Sequence, residues 1–381
     1  MNIQVKLEKK SLHIISFNIP YPANYGGVID VFYKIKALKS QGINIILHAF
    51  EYGRKPADEL EKHCAKVHYY HRSLSLSKQL STLPFIVKTR DVNTLLQNLK
   101  KDNHPILFEG LHTCYFLNHP DLAKRKKYIR MHNVEWQYYA HLAKVESNLF
   151  KKTYFKLESE KLRCFENKIK NVDGILAISK IDKEYFEKKY PNISTHYIPA
   201  FHPNKRVDIK VGKGKYILFH GDLSVKDNER AAIFLLEKVV HSVDYQFIIA
   251  GLNPSDKLIS QVILNENANL YADLSNEGME NLIKNAHVNI LLSFQSAGMK
   301  LKLLNALFKG RFCVVNDFMV KNTGLEDLCF VGKTAEDFQK ILIDVFEKKF
   351  SVKGILERRK RLEVDFSNEK LAEQIKQIAF T

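Results

Sequence analysis

With 381 residues, 45% hydrophobic and 27% charged, the chain is globular in composition and long enough for two domains, which excludes a disordered or fibrous protein. Lys and Arg outnumber Asp and Glu by 59 to 42, a formal charge of +17, so the expected partners are anions: a phosphorylated small molecule, nucleic acid or an acidic membrane surface. The five cysteines, Cys64, Cys114, Cys164, Cys313 and Cys329, stand far apart with no Cys-x-x-Cys pair, which argues against a disulfide framework or structural zinc and fits a reducing cytosol.

The N-terminal MNIQVKLEKK leads straight into a short apolar run, with no long apolar segment of the signal-peptide type. No run approaches the roughly 20 apolar residues of a membrane span. Work at a membrane is therefore expected from its surface only.

Short apolar runs then alternate with amphipathic stretches, the pattern of parallel sheets with crossover helices. The first half predicts strands at Leu12–Phe17, Asn44–Ala49, Lys66–Tyr70, Ile106–Glu109, Lys127–Met131 and Gly174–Ile178. A helix is predicted over Val28–Gln41, ended by Gly42 in a left-handed cap. Phe150–Lys170 reads as a long helix with lysines off its apolar face. Such a helix either packs its apolar face on its own domain with the rest solvated, or turns its basic face to anionic lipid.

Ile198–Lys215, with two prolines and two glycines close together at its ends, reads as an interdomain linker. The second half predicts strands at Tyr216–His220, Tyr245–Ala250, Asn269–Ala272, Val288–Leu292, Phe312–Asn316 and Cys329–Val331. Helices are expected at Asn228–Val240, Pro254–Asn265, Asn276–Asn285 and Met299–Phe308, with a charged tail helix at Asn368–Ile378. The expected domains are 1–200, 201–365 and a terminal helix at 366–381 that packs back on the first. The fold class is α/β, two Rossmann-like parallel-sheet domains facing a cleft.

Several loops at the ends of predicted strands carry chemistry. In NIPYPANYGGVID, Gly26 and Gly27 open the first helix, where bare N–H groups admit an anion or polar sugar; a plain structural turn uses the same residues. The Gly-x-Gly-x-x-Gly spacing of dinucleotide binders is missing, which disfavours a nicotinamide or flavin enzyme. Glu109 closes a buried strand, where a carboxylate is costly unless solvated or paired, and His112 follows three residues on. His132, Asn133 and Glu135 directly follow the next strand, ahead of the only tryptophan, and suit hydrogen bonding to sugar hydroxyls or proton transfer. Gly221 and Asp222, with Ser224 and Asn228 beyond, form a polar strand-to-helix loop that fits phosphate, sugar or an ordinary cap. Ser296, Ala297 and Gly298 approach a helix whose first turn holds Lys300 and Lys302. Cations there oppose the helix dipole, an arrangement that makes sense when a diphosphate occupies the site.

In their order and spacing these motifs resemble the GT-B glycosyltransferases, and within them the large retaining group called family 4, or glycosyl transferases group 1. The resemblance covers nearly the whole chain. It rests on the Gly26–Gly27 loop, HNVE at His132–Glu135, the Ser179–Lys180 step, the HGDLSVKDN loop and the GMKLKLLNAL helix. It implies a first domain that binds a glycan or lipid-linked acceptor, a second that binds a nucleotide-sugar donor, and no cofactor or bound metal. Lys300 and Lys302 then hold the diphosphate, with Gly221, Asp222, Ser296, Gly298 and Met299 around the donor. Gly26 and Gly27 approach the donor phosphate or the acceptor. His132 meets the transferred sugar near the reacting carbon, with Glu109 as the second catalytic candidate, and Asn133, Glu135 and His112 contact acceptor or sugar. Where the family carries two glutamates flanking this helix start, the chain has Ala297 and Asn305, and Asn305 is left as a neutral ribose acceptor. The first loop of the second domain lacks the family's usual basic residue unless Lys226 supplies it.

The expected activity is retaining hexosyl transfer in surface polysaccharide synthesis, in the cytoplasm or peripherally on the cytoplasmic membrane face, where an anionic membrane surface is a further partner. The alternatives are a degenerate GT-B protein acting as a non-catalytic scaffold and a sugar-nucleotide epimerase of the same fold. Nucleic acid is set aside because the lysines spread over both halves instead of forming one aromatic-interleaved stripe.

Overall fold

The computed structural model describes residues 10–294 and 300–381. They form two compact units. One runs to Pro203 and takes in Asn368–Thr381; the other is Asn204–Ser367.

The first unit is built on seven strands: β1 (Ser11–Ser16), β2 (Asn44–Glu51), β3 (Lys66–His71), β4 (Ile106–Glu109), β5 (Lys127–Met131), β6 (Gly174–Ala177) and β7 (Thr195–Tyr197). Their order is β3-β2-β1-β4-β5-β6-β7, and every neighbouring pair is parallel. All residues of β1, β4, β5 and β6 are buried. Helices therefore cover both faces, which is why these strands read as continuous apolar runs.

The second unit repeats the plan with β8 (Tyr216–Asp222), β9 (Gln246–Leu252), β10 (Ala268–Ala272), β11 (Val288–Leu291), β12 (Phe312–Val315) and β13 (Phe330–Val331), ordered β10-β9-β8-β11-β12-β13 and again parallel. In each sheet the chain reverses its winding direction between the first strand and the fourth. Open α/β sheets bind ligands at such a switch point, beyond the carboxyl ends of the strands. In the second unit β8 and β11 pair only through Ile217–Val288 and Leu218–Asn289, so the carboxyl-terminal part of β8 has no such pairing with β11.

All twelve predicted strands are present, with ends within two residues. The seventh strand of the first sheet, Thr195–Tyr197, is three residues at an edge and too short to leave a pattern. The first helix, Gly26–Ser40, does end before Gly42, whose φ is +79°. The predicted long helix spans Leu149–Glu166, then tightens into a 3₁₀ turn at Asn167–Asn171. It pairs with Glu135–Val145, a helix that is not among the predicted elements.

The terminal helix Asn368–Phe380 buries Leu371, Ala372, Ile375 and Ala379 against Leu12, Ile14, Val31 and Ile35. Tyr128 donates its hydroxyl to the Ile378 carbonyl at 2.8 Å. The linker residues are anchored, not loose. Ile198 and Phe201 are buried in the first unit, Val207 and Ile209 in the second. None of the described helices is long and apolar enough to cross a membrane.

Candidate active site

In the first unit the candidate residues gather at the carboxyl ends of β1, β4 and β5. Glu109 is the last residue of β4 and is fully buried. Its Oε2 accepts from His132 Nε2 at 3.0 Å, and Lys34 Nζ lies 2.8 Å from Oε1 and 3.0 Å from Oε2. Lys34, one turn after Asp30 in the first helix, also donates to Asp30 Oδ2 at 2.8 Å. Arg130 of β5 clasps the same Asp30 with Nη2 at 3.0 Å and Nε at 3.2 Å. Two carboxylates thus face two cations, all fully buried.

Burial alone would raise the Asp30 carboxyl, but Arg130 and Lys34 hold it far below its ordinary range. Burial likewise opposes ionisation of Glu109, and Lys34 with His132 keep it lowered. Because ionised Glu109 can only accept, His132 carries its proton on Nε2 and turns Nδ1 to other use. Nδ1 is buried and has no hydrogen-bond partner among the described residues. Buried polar atoms rarely stay unpaired, so an atom of this kind beside a strand end points to a missing ligand.

Glu109 therefore sits behind His132 as its orienting group, and its carboxylate does not reach the surface. Asp30, Glu109 and His132 can bring three ligand atoms within 4.8 Å of one another. Lys34 and Arg130 already neutralise both acids, so a divalent ion would have to displace an ammonium from between them. The trio fits a metal poorly.

Neighbouring residues shape the same end of the sheet. Phe17 stands 5.6 Å from the His112 ring and 5.5 Å from the His132 ring. A Cβ on Gly27 would lie 2.6 Å from the Phe17 ring, so any other residue there must push that ring aside; Gly26 has open space around it. Gly110, at φ +72°, turns the chain so that His112 comes back beside His132. His112 Nδ1 and Asn133 Oδ1 are also buried without hydrogen-bond partners among the described residues. Burial, then the charge of Arg90, hold His112 neutral.

Glu135 opens the helix Glu135–Val145, and burial pushes its carboxyl up to about 8, against a hydrogen bond from Asn133. A folded-state value above the ordinary one favours folding at low pH. That contribution is lost as pH rises from about 4.5 towards 8. Glu135→Gln is accordingly expected to be more stable than the parent at pH 8 by on the order of 1–3 kcal/mol and no different near pH 4. Urea unfolding at the two pH values measures this; a variant less stable at pH 8 contradicts the burial account.

In the second unit the candidates lie beyond β8 and β11. Lys300 precedes the helix Leu301–Lys309, and Lys302 sits in its first turn. Lys302 Nζ donates to Asn228 Oδ1 at 2.8 Å and to the Leu292 carbonyl at 3.1 Å; Lys300 Nζ lies 3.4 Å from Ser293 Oγ. Burial depresses both ammonium groups to about 8, with Asp227 raising each and Lys300 further lowering Lys302. The His220 ring behind them, held to about 3 by burial and Lys302, stays neutral.

Asn228 also donates to the Asp222 carbonyl at 2.8 Å, and Asp222 itself accepts from Ser224 N and Oγ. Gly221 and Gly251 are neighbours across β8 and β9, where a Cβ on Gly251 would fall 1.8 Å from the Gly221 oxygen. Asn305 Oδ1 is buried with no hydrogen-bond partner among the described residues. Ser296, Ala297, Gly298 and Met299 lie outside the described residues.

Sequence reasoning missed three members of the first group: Asp30, Lys34 and Arg130. The signal was present. Arg130 interrupts the buried strand KYIRM, and Asp30 with Lys34 makes an i,i+4 pair on a helix face that is otherwise apolar. It also passed over Arg230. Lys226 is exposed at the start of the helix Lys226–Lys238, while Arg230, one turn on, stacks 4.0 Å over the Phe294 ring.

Two units, each a doubly wound parallel sheet with its polar groups beyond the carboxyl strand ends, are the architecture of the GT-B fold. Residues 214–348 match the family model described as glycosyl transferases group 1, so the chain carries a glycosyl transferases group 1 domain and is a glycosyltransferase. A protein of Klebsiella pneumoniae, described as an uncharacterized 44.6 kDa protein in the cps region, is 29% identical over 330 residues, 82% of this chain and 84% of that one. Among solved structures, TarM matches with a TM-score of 0.70 at 12% identity, covering 98% of this chain and 99% of its own. OtsA matches at 0.61 and 10% identity, with 98% and 99% covered, and UGT2 of Phytolacca americana at 0.58 and 12%, with 97% and 99%. At such identities these structures bear on the fold alone.

Proposed function

We propose that the chain transfers a hexosyl group, with retention of configuration, from a nucleotide-sugar to a glycan or lipid-linked acceptor in surface polysaccharide synthesis. The observation that carries this reading is the pair Lys300 and Lys302, two largely buried cations at the start of one helix in a glycosyl transferases group 1 domain. A sugar diphosphate answers both the charge and the N–H groups that begin the helix. As the bond from the anomeric carbon to the diphosphate breaks, negative charge grows on the leaving oxygens. The lysines stabilise that charge most when it is fully developed, which is where a transferase needs it.

In this reading Gly221 and Asp222 lie by the donor, and Asn305 meets the ribose. The first unit's own candidates for sugar or acceptor hydroxyls are His132, held by Glu109, and His112, Asn133 and Glu135, with Gly26 and Gly27 at the same end of its sheet. The cations needed by the diphosphate are side chains, so neither metal nor cofactor is required. The cps-region relative supports a role in polysaccharide synthesis, and a cytoplasmic setting follows from where nucleotide-sugars are found.

Incubation with UDP-, GDP- and dTDP-sugars tests the reading. One of them is expected to raise the melting temperature at excess and, with an acceptor, to yield a product of unchanged anomeric configuration by NMR. If none shifts the melting temperature, the reading fails in favour of a scaffold that has kept the fold; an inverted product removes retention.

A further inference from the structure

The helical hairpin of the first unit ends in an apolar edge for which the transfer reaction has no use. Its helices, Glu135–Val145 and Leu149–Glu166, are tied together by Ser159 Oγ donating to the Trp136 carbonyl at 2.7 Å and by Tyr139 edge-on to Phe155. The connection is ordered as well: Asn148 caps the second helix through Lys151 N at 3.1 Å, and Glu146 accepts from Asn148 N at 3.0 Å. On this fixed frame Leu149 is 75% and Phe150 88% exposed, and Val145 and Leu157 are more than half exposed.

One exposed leucine is ordinary, but four large apolar side chains at one hairpin end mark a contact surface. Leu149 and Leu157 share a helix stripe with Thr153, so the edge continues for two turns. Cations frame it. Lys144, Lys151, Lys152 and Lys156 are exposed and have no described carboxylate as an ion-pair partner. Further along the same helix, Lys161 and Arg163 are neutralised by Glu158 and Glu160. Lys161 also donates to the Gln79 carbonyl at 3.2 Å, which sets the turn Leu76–Leu80, with exposed Leu80 and half-buried Lys78, alongside.

An exposed tip with apolar side chains, ringed by lysines that have no ion-pair partner among the described residues, suits a deformable anionic surface better than a preformed groove. We infer that the hairpin end, Lys144 to Leu157, docks on an anionic lipid bilayer, with Leu149 and Phe150 entering the headgroup–acyl boundary and the four lysines meeting lipid phosphates. This deepens the proposed function by naming the surface where a lipid-linked acceptor is met, but vesicle binding is read without nucleotide or acceptor. Its failure therefore leaves donor binding standing, and the converse also holds.

The full chain is sedimented with vesicles of phosphatidylcholine alone or with added phosphatidylglycerol. Binding is expected only to the anionic vesicles and is expected to weaken with salt. The double variants Leu149→Ser/Phe150→Ser and Lys151→Glu/Lys152→Glu should each lower partitioning at least about tenfold. Their melting temperatures should match the parent, because all four side chains are exposed. The proposal is overturned if the parent ignores anionic vesicles, or if both variants bind like the parent. It is equally overturned if light scattering shows a dimer that Leu149→Ser/Phe150→Ser dissolves, since a second copy would then cover the tip.

Discussion

Lys34→Met is expected to cost about 3–5 kcal/mol of stability, the largest single loss predicted for this chain. The ammonium sits between Asp30 and Glu109 with no exposure to water. Removing it leaves two ionised carboxylates buried, with Arg130 still on Asp30 and only His132 left on Glu109. The loss propagates, because Asp30 also accepts from the Phe201 N–H at 2.9 Å while Arg130 donates to the Ile198 and Pro199 carbonyls. The charges that orient His132 are thus continuous with those that anchor the start of the linker. Urea unfolding measures the effect. Lys34→Met/Glu109→Gln, which removes cation and anion together, should recover part of the loss. A single variant within about 0.5 kcal/mol of the parent would mean that the network is not energetically coupled.

Lys302→Ala should weaken nucleoside diphosphate binding on the order of a hundredfold. Both lysines are held to about 8 before ligand arrives, mainly by burial. A diphosphate favours their charged forms and raises both values in the complex. Affinity is therefore full below about pH 8 and falls as pH climbs from there towards the raised values. Binding in that window takes up protons. Calorimetry in buffers of differing ionisation heat reads the uptake directly, and its absence would separate the lysines from the diphosphate.

Much of this was legible in the sequence. Runs such as LHIISF and YILFH are buried on both faces, so their apolar character survives without any partner information. Strand ends then followed, and with them the addresses of Glu109, His132 and Gly221. What stayed hidden was pairing. Nothing in the order of residues says that Lys34 reaches Glu109, 75 positions away, or that Asn228 reaches Lys302. Long-range ionic contacts leave no periodicity, and their members look like surface charges until the fold closes over them. Phe150 misled in the opposite direction. Its helical spacing reads as core, yet the hairpin turns it outward.

The most direct test of the central claim, a metal-free lysine grip on a nucleotide-sugar, is calorimetric titration of UDP, GDP and dTDP into the parent chain and Lys302→Ala with EDTA present throughout. One diphosphate is predicted to bind the parent despite the chelator, with proton uptake near pH 8, and to lose most of its affinity in the variant. Binding that needs a divalent ion, or that is the same in both proteins, would contradict it.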